Sequence, residues 1–320
     1  MRQWRWRGGD DVDSQEYYGH LNEPLDAFPT RGLLDDRYRM AEKIGEGGMG
    51  VVYRAHDTVT GEKVAIKILR DALTNDPVSI ARIRHEAAIG TRLTHANICR
   101  IMRLGEVGGA SYLVMPLLQG DSLWDRTAAG QPLPLDVTVR IIGDICAGLH
   151  ELHELGVVHR DLKPENIMLV AAPDGSERAV LLDFGLATGH AATTGRPRLT
   201  KTGMVVGTQE FMSPEQMGGK PLDRRSDIYA LAFMAYEMLT GELPFRGHTM
   251  RELALARLKG ELIPLRARRP DLPPAVETVL ARALAVDVNA RYATTIEFGN
   301  ALAQAEEAPS GGLIERLLGR

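Results

Sequence analysis

A glycine-rich turn set between two strand-like runs constrains this chain more than any other stretch. KIGEGGMGVV at 43–52 places Gly45, Gly47 and Gly50 after YRMAEKI and ahead of VVYRA. Both flanks are rich in strand formers, so the pattern reads as a hairpin. Without side chains at those positions, backbone amides can approach a phosphate closely and turn toward its oxygens. The same glycine spacing in a dinucleotide fold needs a helix straight after the turn, whereas here a second strand follows, and the Rossmann alternative fails on that context. A third strand, VAIKIL at 64–69, is entered through the turn signal TVTGEK and carries Lys67 among apolar neighbours. A lone lysine in a strand is ordinarily snorkelled at an edge. Beside a glycine hairpin it reads better as a point charge for α- and β-phosphates.

The complementary chemistry lies downstream, in HRDLKPEN at 159–166 and LLDFG at 181–185. Transfer of a phosphoryl group through a dissociative transition state needs positioning and charge neutralisation more than covalent help. Asp161 and Asn166, five residues apart on a loop that leaves a helix, can aim one side chain at a substrate hydroxyl and the other at a metal. Asp183 on the next hairpin completes the ligand set. Mg²⁺ prefers a few hard oxygens together with phosphate oxygens and retained waters, so no His or Cys cluster is required.

In this order, GEGGMGVV, VAIK, a glutamate on the following helix, HRDLKPEN, DFG and SPE resemble the signature set of the eukaryotic-type (Hanks-type) Ser/Thr protein kinases. GGMGVVYRAHD and FMSPEQ resemble the bacterial branch more narrowly. The resemblance covers about residues 38–305 and implies an α+β, two-lobed fold with a small β-rich N-lobe, one main helix in it, and a larger, mainly helical C-lobe. It implies an N-lobe over 38–115, a hinge over 116–120 and a C-lobe over 121–305. It also implies ATP as phosphoryl donor, Mg²⁺ as cofactor with Mn²⁺ able to substitute, and protein Ser/Thr hydroxyls as acceptors.

Carried over residue by residue, the resemblance makes Glu86, in VSIARIRHEAAIGTRL, the helix partner of Lys67. Asp161 becomes the base for the acceptor hydroxyl, and Asn166 and Asp183 the metal ligands. Lys163 is similar to the lysine that touches the transferred phosphate in Ser/Thr-specific members, and Thr208 in GTQEF to the threonine bonded to the base. The nucleotide would lie against Ile44, Gly45, Glu46, Gly47, Gly48, Met49, Gly50, Val51 and Val52, with adenine on the carbonyl of Pro116 and the amide of Leu118. Met115 stands at the gatekeeper position. Glu215 and Arg291 match a scaffold ion pair, and Asp227 matches the aspartate that holds the catalytic-loop backbone. Arg160 marks members whose activation loop is ordered by a phosphate, which pairs a new anion with an arginine. Thr200 and Thr202 are the expected autophosphorylation sites, ahead of Thr193 and Thr194. Ser213 departs from the family's usual alanine.

Composition fits this reading. The 320 residues are 44% hydrophobic and 25% charged, as in an ordinary globular protein, and the net charge of −4 argues against a dedicated nucleic-acid binder. Cys99 and Cys146 lack zinc-site spacing and read as buried thiols of a reducing compartment. No run of 18 or more apolar residues occurs and the N-terminus lacks an apolar signal core, so no transmembrane segment is expected and the expected location is cytoplasmic. Helices are expected over LDVTVRIIGDICAGLHELHELG, with Ile141, Ile142, Ile145, Leu149 and Leu152 on one face, and over the later segments PEQM, RELALARLKG, PPAVETVLARAL and TTIEFGNALAQA. A turn at 172–177 is expected to join the strands that carry Asn166 and Asp183. Residues 1–35 read as a flexible lead, and 306–320 as a linker with a short amphipathic tail. Partners are expected to be protein substrates, with an N-lobe homodimer or autophosphorylation in trans as the self-association the resemblance allows, and no nucleic acid. The alternatives are a pseudokinase scaffold or a partner-activated kinase. The first is disfavoured because Lys67, Asp161, Asn166 and Asp183 are all retained.

Overall fold

The structure is a computed structural model that describes residues 33–70, 77–172, 175–183, 210–247 and 249–308. The chain divides into two compact units, the first holding residues up to 93 together with 100–118, the second 94–99 and everything from 119 onward.

In the first unit, β1 (Leu33–Leu34), β2 (Tyr38–Gly47), β3 (Gly50–Asp57), β4 (Lys63–Leu69), β5 (Arg103–Val107) and β6 (Ala110–Pro116) form one antiparallel sheet in the order β1-β2-β3-β4-β6-β5. The turn between β3 and β4 is fixed by Asp57, which accepts from Val59 N at 3.0 Å while Gly61 takes φ of 75°. Arg37 forks onto the same carboxylate at 2.9 and 2.7 Å and, against the opposing effect of burial, holds it well below the usual range. β4 is central and buried along its length after Lys63, which is why its sequence is nearly all apolar. Alternation places Val64, Ile66 and Ile68 in a core with Leu34, Tyr38, Ala55, Tyr112 and Val114, and turns Lys67 to the opposite face. The helix α1 (Pro77–Arg92) carries Glu86.

The second unit contains a three-stranded sheet, β7 (Gly120–Ser122), β8 (Ile167–Ala171) and β9 (Glu177–Leu181), in that order. With it are α2 (Leu123–Thr127), α3 (Leu135–Glu154), α4 (Pro214–Met217), α5 (Arg224–Thr240), α6 (Met250–Lys259), α7 (Pro274–Ala283) and α8 (Thr295–Glu306). The expected face of α3 is buried, and the chain leaves it through Gly156 at φ 75°. The structure departs from expectation at the two metal-ligand candidates. Neither is in a strand: Asn166 ends a 3₁₀ turn (Pro164–Asn166) and Asp183 lies beyond β9. The proline at the start of that turn favours its geometry, and the ladder begins only at Ile167.

α5 is the axis of this unit, buried around nearly its whole circumference from Ser226 to Thr240. Asp223 caps its start, and Gly241 ends it with φ 69°, where a Cβ would fall 2.0 Å from Gly130 O. Near its end α5 carries the partly buried Glu237. Burial first, and then the Glu210 and Glu165 carboxylates, push its pKa up to about 7. Near its start, Arg291 forks onto Glu215, Nη1 to Oε1 and Nη2 to Oε2 both at 2.8 Å, with the pair almost fully buried. Ser226 Oγ donates to the same carboxylate at 2.6 Å, and Arg291 Nε reaches Ala285 O at 2.8 Å. Burial works against the charge on Glu215, but Arg291 and Ser226 outweigh it and hold its pKa below the usual range.

Two outcomes follow from these buried charges. Arg291→Met should destabilise the second unit by about 3–5 kcal/mol in urea unfolding, because it strands Glu215, and Arg291→Lys should recover only part of that loss. For Glu237 the raised folded-state pKa means that its favourable contribution is complete below the unfolded carboxylate value. That contribution is lost as pH rises through about 7. Glu237→Gln should therefore flatten the decline of thermal stability between about pH 4.5 and 7.5, removing roughly 2–3 kcal/mol of it.

Candidate active site

In the first unit, Gly47 pairs with Gly50 across a two-residue turn made by Gly48 and Met49. The glycines are not equivalent. A Cβ at Gly50 would stand 2.0 Å from Ile68 O, so this glycine is required by the close approach of β3 to β4. At Gly47 and Gly48 a Cβ would meet nothing within 4 Å, which leaves open space over the turn. Lys67 faces this hairpin, with Nζ 3.8 Å from Met49 Sδ, and is only 4% exposed. Glu86 on α1 is 9% exposed. Val51 and Val52 pair with Glu46 and Gly45, so Ile44 to Val52 form one continuous hairpin. Pro116 ends β6, Leu118 follows in the connecting segment, both are half-buried, and Met115 is buried.

In the second unit the loop from His159 to Asn166 is bound to α5 and to the end of β9. Asp227 accepts from His159 N on Oδ2 and from Arg160 N on Oδ1, each at 2.9 Å, and His153 Nε2 lies 2.7 Å from Oδ2. His159 is fully buried; its Nε2 is 3.1 Å from Leu182 O, and its Nδ1 accepts from Asp161 N at 3.3 Å. Those two contacts fit the tautomer with the proton on Nε2. Leu182 N donates to Asn166 O at 2.8 Å, so both backbone groups of the residue before Asp183 are tied to the loop. Arg160 and Asp183 both take left-handed backbone, with φ 67° and 51°, a conformation that L-residues hold only under such constraint.

The side chains of this loop converge. Lys163 Nζ is 2.9 Å from Asp161 Oδ2, and Asn166 Nδ2 donates to Asp161 O at 2.8 Å. The amide nitrogen is thus the atom turned toward Asp161, and the harder oxygen, Oδ1, remains as the atom a divalent cation would take. Carboxylate and amide oxygens from Asn166 and Asp183 are a donor set that suits Mg²⁺ better than a soft metal, and the open space over Gly47 and Gly48 suits a phosphate chain. Beside the loop, burial raises the Glu165 carboxyl above its usual range against the pull of Lys163.

Thr208, Thr200 and Thr202 lie outside the described residues. Three participants were not anticipated from sequence. His153 is one of them. The others are Ser213 and Gln216, which form a capping box at α4: Gln216 Oε1 accepts from Ser213 N at 2.9 Å, while its Nε2 donates to Arg160 O at 2.7 Å. The Ser-x-x-Gln spacing of SPEQ was the available signal. Ser213 is therefore a helix cap rather than a neutral replacement for alanine.

The protein kinase domain profile matches residues 38–301. Serine/threonine-protein kinase pkn3 of Myxococcus xanthus is 38% identical over 265 residues, 82% of this chain and 48% of the relative. PrkC of Bacillus subtilis is 37% identical over 261 residues, 82% of this chain and 39% of the relative. The chain thus spans less than half the length of these curated relatives. Among solved structures, the PknI kinase domain of Mycobacterium tuberculosis superposes with TM-score 0.65 at 26% identity, covering 84% of this chain and 96% of that one. A structure of Rad53 in complex with AMP-PNP superposes with TM-score 0.68 at 26% identity, covering 83% of this chain and 65% of that one. By the extent of the profile match and the identity to these relatives, the chain belongs to the protein kinase domain family.

Proposed function

We propose that this chain is an ATP-dependent serine/threonine protein kinase of bacterial signalling that phosphorylates protein Ser/Thr hydroxyls and its own activation loop at Thr200 or Thr202. The observation that carries the reading is the grouping of Asp161, Lys163 and Asn166 on a loop whose backbone is pinned by Asp227. Names of the relatives and the AMP-PNP in the Rad53 structure point the same way.

In this reading Gly47, Gly48 and Met49 present backbone amides to the phosphates, Lys67 supplies a buried positive charge for them, and Glu86 holds Lys67 in place. Adenine would bond to Pro116 O and Leu118 N. Asp161 Oδ2 is engaged by Lys163, so Oδ1 is the atom offered to the acceptor hydroxyl, orienting it and taking its proton as the bond to phosphorus forms. Lys163 would follow the charge of the transferred group, and Thr208 would bond to the base. Asn166 and Asp183 would hold Mg²⁺, or Mn²⁺ in its place, which neutralises phosphate charge when bound. We place the protein in the cytoplasm, where ATP is held, with the buried Cys99 and Cys146 in keeping with a reducing compartment. Among the described residues no helix is long and apolar enough to cross a membrane. An N-lobe homodimer acting in trans is the proposed route to self-phosphorylation.

The decisive experiment is intact-mass spectrometry of dephosphorylated protein incubated with Mg²⁺-ATP, with phosphosites mapped, beside Asp161→Asn and Lys67→Met variants. The unmutated chain should gain phosphate on Thr200 or Thr202. Asp161→Asn should slow transfer by about 10²–10⁴-fold, the usual worth of a positioned general base. Equal phosphate gain in all three proteins, or none in any at high concentration, would sink the proposal.

A further inference from the structure

The tip of the glycine hairpin is held by a side chain that belongs to none of the ordered motifs. Arg70 follows directly on β4, three residues past Lys67. Its backbone N–H donates to Met49 O at 3.0 Å, its Nε to Gly47 O at 3.3 Å and its Nη2 to Glu46 Oε1 at 2.6 Å. Arg70 and Glu46 are 17% and 23% exposed, so the pair is partly withdrawn from solvent. Lys43 donates to the other oxygen of Glu46. Burial opposes the charge on Glu46, but Lys43 and Arg70 outweigh it and keep the carboxyl below its usual range.

We propose that Arg70 is a positioning residue that fixes the tip of the glycine hairpin against the strand carrying Lys67, and thereby sets how tightly a nucleotide's phosphates are held. The inference rests on the reading of that hairpin as a phosphate loop. The physical case starts from the glycines. A hairpin tip that includes Gly47 and Gly48 loses more backbone freedom on ordering than one without glycines, and a ligand that had to impose the order would bind correspondingly less tightly. Arg70 imposes it beforehand from three directions: one backbone bond, one bond to a carbonyl of the turn and one charged bond to Glu46. The guanidinium reaches the carbonyl with Nε and the carboxylate with Nη2, two donors held in one rigid fork, a geometry that the single nitrogen of a lysine reproduces only in part. The bland alternative is a surface ion pair of little energetic consequence. That alternative predicts no dependence on which part of the ligand is tested, whereas the positioning role acts on the phosphates and spares the adenosine.

The test uses the full chain as wild type, Arg70→Ala, Arg70→Lys, Glu46→Gln and the Arg70→Ala/Glu46→Gln double variant, with calorimetric affinities for Mg²⁺-AMP-PNP and for adenosine. Arg70→Ala should weaken AMP-PNP about five- to tenfold, as expected for loss of a charge-assisted contact, while adenosine stays within about twofold. Arg70→Lys should fall between, and the double variant should be no weaker than Arg70→Ala. Unchanged AMP-PNP affinity, an equal loss for adenosine, or additive losses in the double variant would overturn the role of Arg70. Wild-type protein that binds no AMP-PNP would instead overturn the nucleotide reading itself, and the role of Arg70 with it.

Discussion

The Asp227 carboxylate, 1% exposed near the start of α5, accepts the backbone N–H groups of His159 and Arg160 while His153 Nε2 closes on one of its oxygens. Burying a carboxylate costs several kcal/mol, and three bonds to one charge, each worth about 1.5–3 kcal/mol, together with the first turn of a helix, offset that cost. The arrangement is reciprocal. Arg160 holds a left-handed backbone that disfavours an L-residue by roughly 1–2 kcal/mol, and the bond to Asp227 keeps it there. Since α5 is buried around nearly its whole circumference, the loop that carries Asp161, Lys163 and Asn166 takes its backbone geometry from the core of the second unit rather than from its own sequence.

A second set of bonds extends this control along the chain. His159 and Asn166 together engage both backbone groups of Leu182, which fixes the residue on which Asp183 follows. Gln216 carries the effect in the other direction, since one end of its amide closes the cap of α4 and the other bonds to Arg160 O. The Glu215–Arg291 fork then ties α4 to the far end of the unit. A disturbance at Arg160 has contiguous hydrogen-bonded routes to Asp183, to α4 and to α5, which is the physical content of calling this loop a hub.

Much of this was legible in the residues. The hairpin, the central strand with its one buried lysine, the long helix with its apolar face and the later helices all announce themselves by period and by turn signals, because in each the local preference and the tertiary environment agree. What stayed hidden depended on contacts between distant residues. His153 lies 74 positions from Asp227 and nothing in its helical surroundings names that partner. Asn166 and Asp183 read as strand residues from their apolar neighbours, yet each falls just outside the ladder, where the backbone turns and a side chain can leave the sheet plane. The capping box at Ser213 was written in four consecutive residues, but a resemblance that treats this position as alanine draws attention away from it.

The glycines show why a motif cannot be divided into roles by spacing alone. Gly45, Gly47 and Gly50 form one pattern in sequence, and every member invites the same explanation. In the folded unit, Gly50 is where β3 comes so close to β4 that any side chain would strike the Ile68 carbonyl, whereas Gly47 and Gly48 face open space. The first is a demand of the sheet, and the second, in the function proposed above, would be room for a ligand. Both demands select the same residue type because glycine answers any need for close approach, whether by a neighbouring strand or by a phosphate. The close contact at Gly50 pairs the return strand of the hairpin with Leu69, the last residue of the strand that carries Lys67 and the one before Arg70, so the sheet's demand also fixes where the hairpin tip stands.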